Sequence, residues 1–225
     1  APATFERFVS SAALSKAKWG GDVELIQEAC TRAEAAGVEE AEIDSARALV
    51  RRLRSSALSV AKRGRDAKRI EAACDCAEAA GVATAETNSA RALVRLLRAQ
   101  ESRDAERIEE ACDCADAANV EKAKIDAARA LVRHLRSVAL FEAKQFGDVE
   151  RIEEACKLAE ASGVEKGRID AAKVLVRRLR SSGVLADAKE SGDSERIEEA
   201  CDCAEAAGVE TAEIDSARAL VRLLR

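Results

Sequence analysis

The 225-residue chain has no methionine and no tyrosine, and only one proline, one tryptophan, one histidine and four phenylalanines. With aromatics at 2%, there are few rings on which nucleic-acid bases could stack. The 42 acidic and 37 basic residues are interspersed to a net charge of −5, so a basic nucleic-acid face is not expected. One proline and eleven glycines leave few breakers and argue against a strand-and-turn protein. No apolar run reaches the roughly 18 residues of a bilayer-spanning helix, and no secretory leader pattern is present. The missing methionine implies that the chain is processed or is a piece of something longer.

What is abundant is alanine, about a fifth of the residues, together with Glu, Arg and Leu. Alanine favours helix and buries little surface, so the 48% hydrophobic content overstates the core. The segment 196–225, RIEEACDCAEAAGVETAEIDSARALVRLLR, recurs five times. Its apolar residues fall at helical spacing on either side of a glycine, which reads as two antiparallel helices and a tight turn. Asp22, Asp66, Asp104, Asp148 and Asp193 stand where each first helix starts, as N-caps. Gly37, Gly81, Gly163 and Gly208 close it, and Asn119 replaces glycine in the third copy, as a left-handed turn residue allows. The second helix carries Ile43, Ala46, Val50, Leu53, Ala57 and Val60 at heptad-like spacing. At about 24 residues it would be roughly 36 Å long against roughly 22 Å for its partner. The overhang must pack on the next hairpin or on another molecule.

The expected fold is therefore all-α: a right-handed-type α-solenoid, or array, of about five antiparallel hairpins with a period near 44. It reads as a single array over 1–225, with a half repeat at 1–21 and repeats at 22–65, 66–103, 104–147, 148–192 and 193–225. Half hairpins at both ends suggest a segment of a longer array. The second repeat is irregular, because its long helix lacks six residues after Arg98, which shortens it by about 9 Å and rotates the succeeding hairpins by about 120°. Gly183 stands where the other long helices have alanine and is expected to loosen its helix. The scarce aromatics gather at Phe5, Phe8 and Trp19 and at Phe141 and Phe146, candidates for capping the array or contacting a partner.

Residues that would do chemistry are few. Cys30, Cys74, Cys112, Cys156 and Cys201 occupy one site per repeat, spaced 44, 38, 44 and 45 residues apart, as packing on an apolar face would place them. Three are followed two residues later by a second cysteine, Cys76, Cys114 and Cys203. Residues two apart on a helix point about 200° apart, so such a pair cannot close on one metal ion. His134 shares its position with Arg52, Leu96, Arg178 and Leu223, which suggests an exposed or half-exposed flank. Arginines of the long helices, such as Arg47, Arg51, Arg52 and Arg54, face acidic short helices that offer them partners. No phosphate loop, nucleophile elbow or zinc motif occurs. No catalytic residue, metal or cofactor is therefore expected.

The pattern EEAxxxAEAAGVExAxIDxARALVRxLR, as in 198–225, resembles the Ala-rich helical-hairpin repeats of large algal, dinoflagellate and other protist proteins. Its period falls in the range of HEAT and armadillo repeats, whose characteristic proline is missing here. The resemblance implies a structural or scaffolding module. The expected function is non-enzymatic: contact with other proteins of a larger complex. A carrier holding pigment or lipid between helices, and a cysteine-based redox or metal-buffering protein, are the alternatives.

Overall fold

The computed structural model describes residues 2–225 and is all-helical; among the described residues there are eleven helices and no strands. In order they are α1 (Pro2–Gly20), α2 (Val23–Ala35), α3 (Glu40–Arg63), α4 (Ala67–Ala79), α5 (Thr84–Ser102), α6 (Ala105–Ala117), α7 (Lys122–Phe146), α8 (Val149–Ala161), α9 (Lys166–Ser191), α10 (Ser194–Ala207) and α11 (Thr211–Leu224). The chain divides into two compact units, 1–128 and 129–225, and the boundary falls within α7. In the first unit α1 to α6 pack each on the next, and α1 also touches α3, as α3 touches α5. In the second, α8 packs on α9, α9 on α10 and α10 on α11, with a further contact between α9 and α11.

Each short helix starts on an aspartate. Asp22 accepts from the Leu25 amide and Asp148 from that of Arg151, while Asp66, Asp104 and Asp193 each accept from two amides. Each of these caps satisfies a donor the helix cannot pair internally, and is worth about 1 kcal/mol. At the other end Gly37 sits at φ 68°. Its amide donates to Glu34 O, and that of Val38 donates to Ala33 O at 2.9 Å, the paired hydrogen bonds of a Schellman motif. The same two bonds recur around Gly81, Asn119, Gly163 and Gly208, all at positive φ.

The core is thin. In the first hairpin it comprises Ile26, Ala29, Cys30 and Ala33 of α2 against Ile43, Ala46 and Val50 of α3, closed by Leu14 of α1. In the second unit Leu140 and Ala143 of α7 close the hairpin of α8 and α9 in the same way, and Leu185 and Ala188 of α9 close that of α10 and α11. This corrects the expected stripe along α3. Leu53 is only half-buried, Ala57 is exposed and Val60 is 60% exposed, whereas Leu58 is buried. The reason is a change of partner: the first half of α3 packs on α2, and its second half turns a different face to α4. α9 runs unbroken through Gly183, where an added Cβ would meet open space.

The missing six residues reshape the second repeat. α5 has 19 residues against 24 in α3, and it ends on Arg103 in the left-handed region at φ 54°. Glycine holds that conformation before Asp22, Asp148 and Asp193, at Gly21, Gly147 and Gly192. The face of α5 that is open elsewhere is covered. Leu96 is 1% exposed, whereas its counterparts Arg52, His134, Arg178 and Leu223 are all exposed. The expectation of an open flank therefore fails at Leu96. Across this face Lys124 of α7 donates to the carbonyl oxygen of Lys62 at the end of α3.

Urea denaturation checks this packing at two positions. Arg103→Gly relieves a left-handed side chain and raises stability by about 1 kcal/mol. Leu96→Ala costs about 2–4 kcal/mol, whereas Leu223→Ala at the equivalent position changes stability by less than about 0.5 kcal/mol. Equal effects at the two leucines would refute the altered packing of α5.

Candidate functional site

The long helices are tied to one another by a recurring polar rung. Ser11 donates to Glu42, Ser55 to Glu86 and Ser182 to Glu213, each across 31 residues and at 2.7–3.0 Å. Between α7 and α9 the rung is built the other way round, with Arg168 donating to Ser137 at 2.7 Å. A second rung runs from Lys18 to Ser45 and from Lys62 to Ser89. In the position of Glu42 and Glu86 the third repeat has Lys124, whose bond goes to the Lys62 carbonyl of α3 instead.

Within hairpins, a basic side chain of the long helix pairs with an acidic one of the short helix. These pairs are Arg47–Glu34, Arg91–Glu78, Lys173–Glu160 and Arg218–Glu205. One to two turns on, Arg98, Arg180 and Arg225 pair with Glu71, Glu153 and Glu198 at 2.7–2.9 Å. The first repeat has Gln27 at the acidic position, and Arg54 reaches Glu24 instead. Exposed pairs of this kind add little stability singly. They engage Arg47, Arg91 and Arg218, whereas Arg51, Arg95, Arg133, Arg177 and Arg222 recur once per long helix as exposed basic residues outside these pairs.

Between the paired ends lie shallow grooves with a cysteine at the base. Those at Cys30, Cys74 and Cys201 have volumes of about 340, 380 and 400 Å³, and that at Cys156 about 640 Å³. Burial pushes all four thiols above their ordinary pKa, against the lowering pull of Arg47, Arg91, Lys173 and Arg218 respectively. A thiol held neutral is a poor nucleophile and a poor metal ligand. Cys74 donates instead to the carbonyl oxygen of Thr87. Cys112 is buried as well, while Cys76, Cys114 and Cys203 are exposed. Among the described residues no three His, Cys, Asp or Glu side chains are grouped to hold a metal ion. His134 lies exposed on α7.

The aromatic residues point outward. Phe5, Phe8 and Trp19 on α1 are 70%, 73% and 93% exposed. At about 100° per residue they and Val9 fall within an arc of roughly 100°, on the side opposite the fully buried Leu14. They form one apolar stripe. Phe141 and Phe146 on α7 are also exposed, but five residues separate their directions by about 140°. Phe146 is engaged by the Arg151 guanidinium, 4.9 Å from its ring centre. The structure thus places three of the five aromatics on one face of α1, Trp19 roughly 16 Å along the axis from Phe8, and leaves the other two separate.

Sequence reading missed Arg103, Leu96 and Lys124. A signal existed for the first, since arginine stands before Asp104 where glycine precedes most other capping aspartates. None of the described helices is long and apolar enough to cross a membrane. No protein-family model matches the chain, and comparisons with curated proteins and with solved structures give no match.

Thiol chemistry provides the check. A disulfide reagent should titrate Cys76, Cys114 and Cys203 in the native protein and the buried five only after unfolding. A thiol pKa raised by folding stabilises fully below the unfolded value and is lost as pH climbs through the folded one. The urea midpoint should therefore fall above about pH 8.5. It should fall less in a variant with alanine at Cys30, Cys74, Cys156 and Cys201, and an equal fall would contradict the burial of those thiols.

Proposed function

We propose that the chain is a non-enzymatic scaffold that contacts other proteins, as an accessory subunit or a segment of a larger assembly. The observation that carries this reading is the α1 stripe. Large rings exposed to water on one face of a helix whose other face is packed are the residue types that anchor protein interfaces. The rest of the surface is densely charged with both signs interspersed, which favours solubility over adhesion. The Ala-rich hairpin repeats that the chain resembles point the same way. A second reading, a carrier of a small apolar ligand, is favoured by the groove between α8 and α9, where Val174 and Val176 form part of the wall. Its mark would be a bound mass or absorbance in protein purified natively.

The scaffold reading is tested by using the chain as bait in its native source. Wild type and a Phe141→Ala control should enrich the same proteins, and Phe5→Ala/Phe8→Ala/Trp19→Ala should lose them while keeping its helix content. Unchanged enrichment by the triple variant would overturn the role given to α1.

A further inference from the structure

The shortened α5 leaves a notch with a charge opposite to that of the whole chain. It lies in the first unit, between the end of α3 and the start of α7, with a volume of about 330 Å³. Its walls carry Lys62, Arg63 and Lys124 against one acid, Glu121, and buried Leu93 and Val120 form an apolar floor. Three cations less one anion give a local charge of +2 in a protein of net charge −5.

The hydrogen bonding of these cations is incomplete. Lys62 spends one of its three donors on Ser89 at 3.1 Å. Lys124 spends one on the Lys62 carbonyl and lies 3.8 Å from Glu121. Arg63 is exposed, and its guanidinium has five donors to offer. Elsewhere the equivalent position at the start of the long helix holds Glu42, Glu86 or Glu213 bonded to a serine. Arg168, the other basic residue there, is satisfied by Ser137 and Glu165. The cysteine grooves also carry cations, and Arg51, Arg95, Arg177 and Arg222 line them outside the ion pairs described. Arg47, Arg91, Lys173 and Arg218, however, are each spent on an acid of the same hairpin, and the acids lining each groove hold its local charge to +1.

We infer that this notch is a seat for an acidic segment of a partner protein, whose carboxylates meet Lys62, Arg63 and Lys124 while an aliphatic stem rests on Leu93 and Val120. The cavity is several times larger than a small inorganic anion needs, and its floor is apolar. Both features suit a glutamate-bearing peptide better than free phosphate. The inference rests on the partner-binding reading and adds the chemistry of one contact.

The test uses the full chain with a hexaglutamate peptide as probe, followed by amide chemical shifts. Saturable shifts should cluster at residues 59–63 and 119–124 and weaken with salt. Arg63→Glu, at an exposed position that leaves the fold intact, should weaken the probe by about fivefold, and Lys68→Glu, an equal charge change elsewhere on the unit, should leave it unchanged. Equal loss in both variants, or shifts spread over the surface, would overturn the seat. Inorganic phosphate at matched ionic strength should bind more weakly; equal binding would show a small-anion site and overturn the peptide assignment. The bait experiment can fail without touching these results, so the two readings are separately falsifiable.

Discussion

The thinness of the hairpin core governs everything else in this protein. One isoleucine, two alanines and a cysteine on the short helix meet an isoleucine, an alanine and a valine on the long one, and that burial cannot offset the entropy of ordering some forty residues. The deficit is met by the overhang. A long helix of 24 to 26 residues outreaches a short one of 13 or 14, and the excess buries Leu58, Leu140 or Leu185, as the 19-residue α1 buries Leu14 against the first hairpin. Aspartate caps and left-handed turns then fix where each short helix begins and ends, so that the overhang arrives in register.

The polar rungs record that register. α9 is one residue longer than α7, and the repeat after it is displaced by one; Ser182, rather than Ser181, then meets Glu213. A one-residue change is absorbed by a neighbouring serine. A six-residue deletion is not absorbed. In the second repeat the serine rung to α7 is replaced by a lysine that bonds to the helix before last, the open face of α5 closes over Leu96, and a helix end is left on a left-handed arginine. These departures all fall where the six residues are missing, and the lysine bond among them lies in the notch.

The period, the capping aspartates and the turn at Gly37 were legible because each rests on interactions within five residues of chain. Asn119 was legible for the same reason, since a single φ decides it. The fate of α3 beyond Val50 was not, because Leu58 and Val60 both suit a helix seam and only the position of α4 decides between them. Leu96 stood beyond sequence reasoning for a related cause. Its burial depends on how the shortened α5 is covered by elements distant in sequence, whereas its counterparts Arg52 and Leu223 remain in water. The aromatic stripe was partly legible: its residues stood out by rarity, but the side of α1 they occupy depends on where Leu14 docks.

Function, on this account, resides where the repeats differ. Regular hairpins balance acids against bases and bury one thiol each, and against them the α1 stripe and the basic notch stand out as an exposed aromatic surface and a net-basic one. Amine-reactive crosslinking of the protein in its native source reads both at once, since Lys16 and Lys18 lie on α1 and Lys62 and Lys124 in the notch. The account predicts crosslinks to other proteins concentrated at those four lysines. Crosslinks spread equally over Lys68, Lys157 and Lys166, or a chain recovered free of any partner, would contradict it.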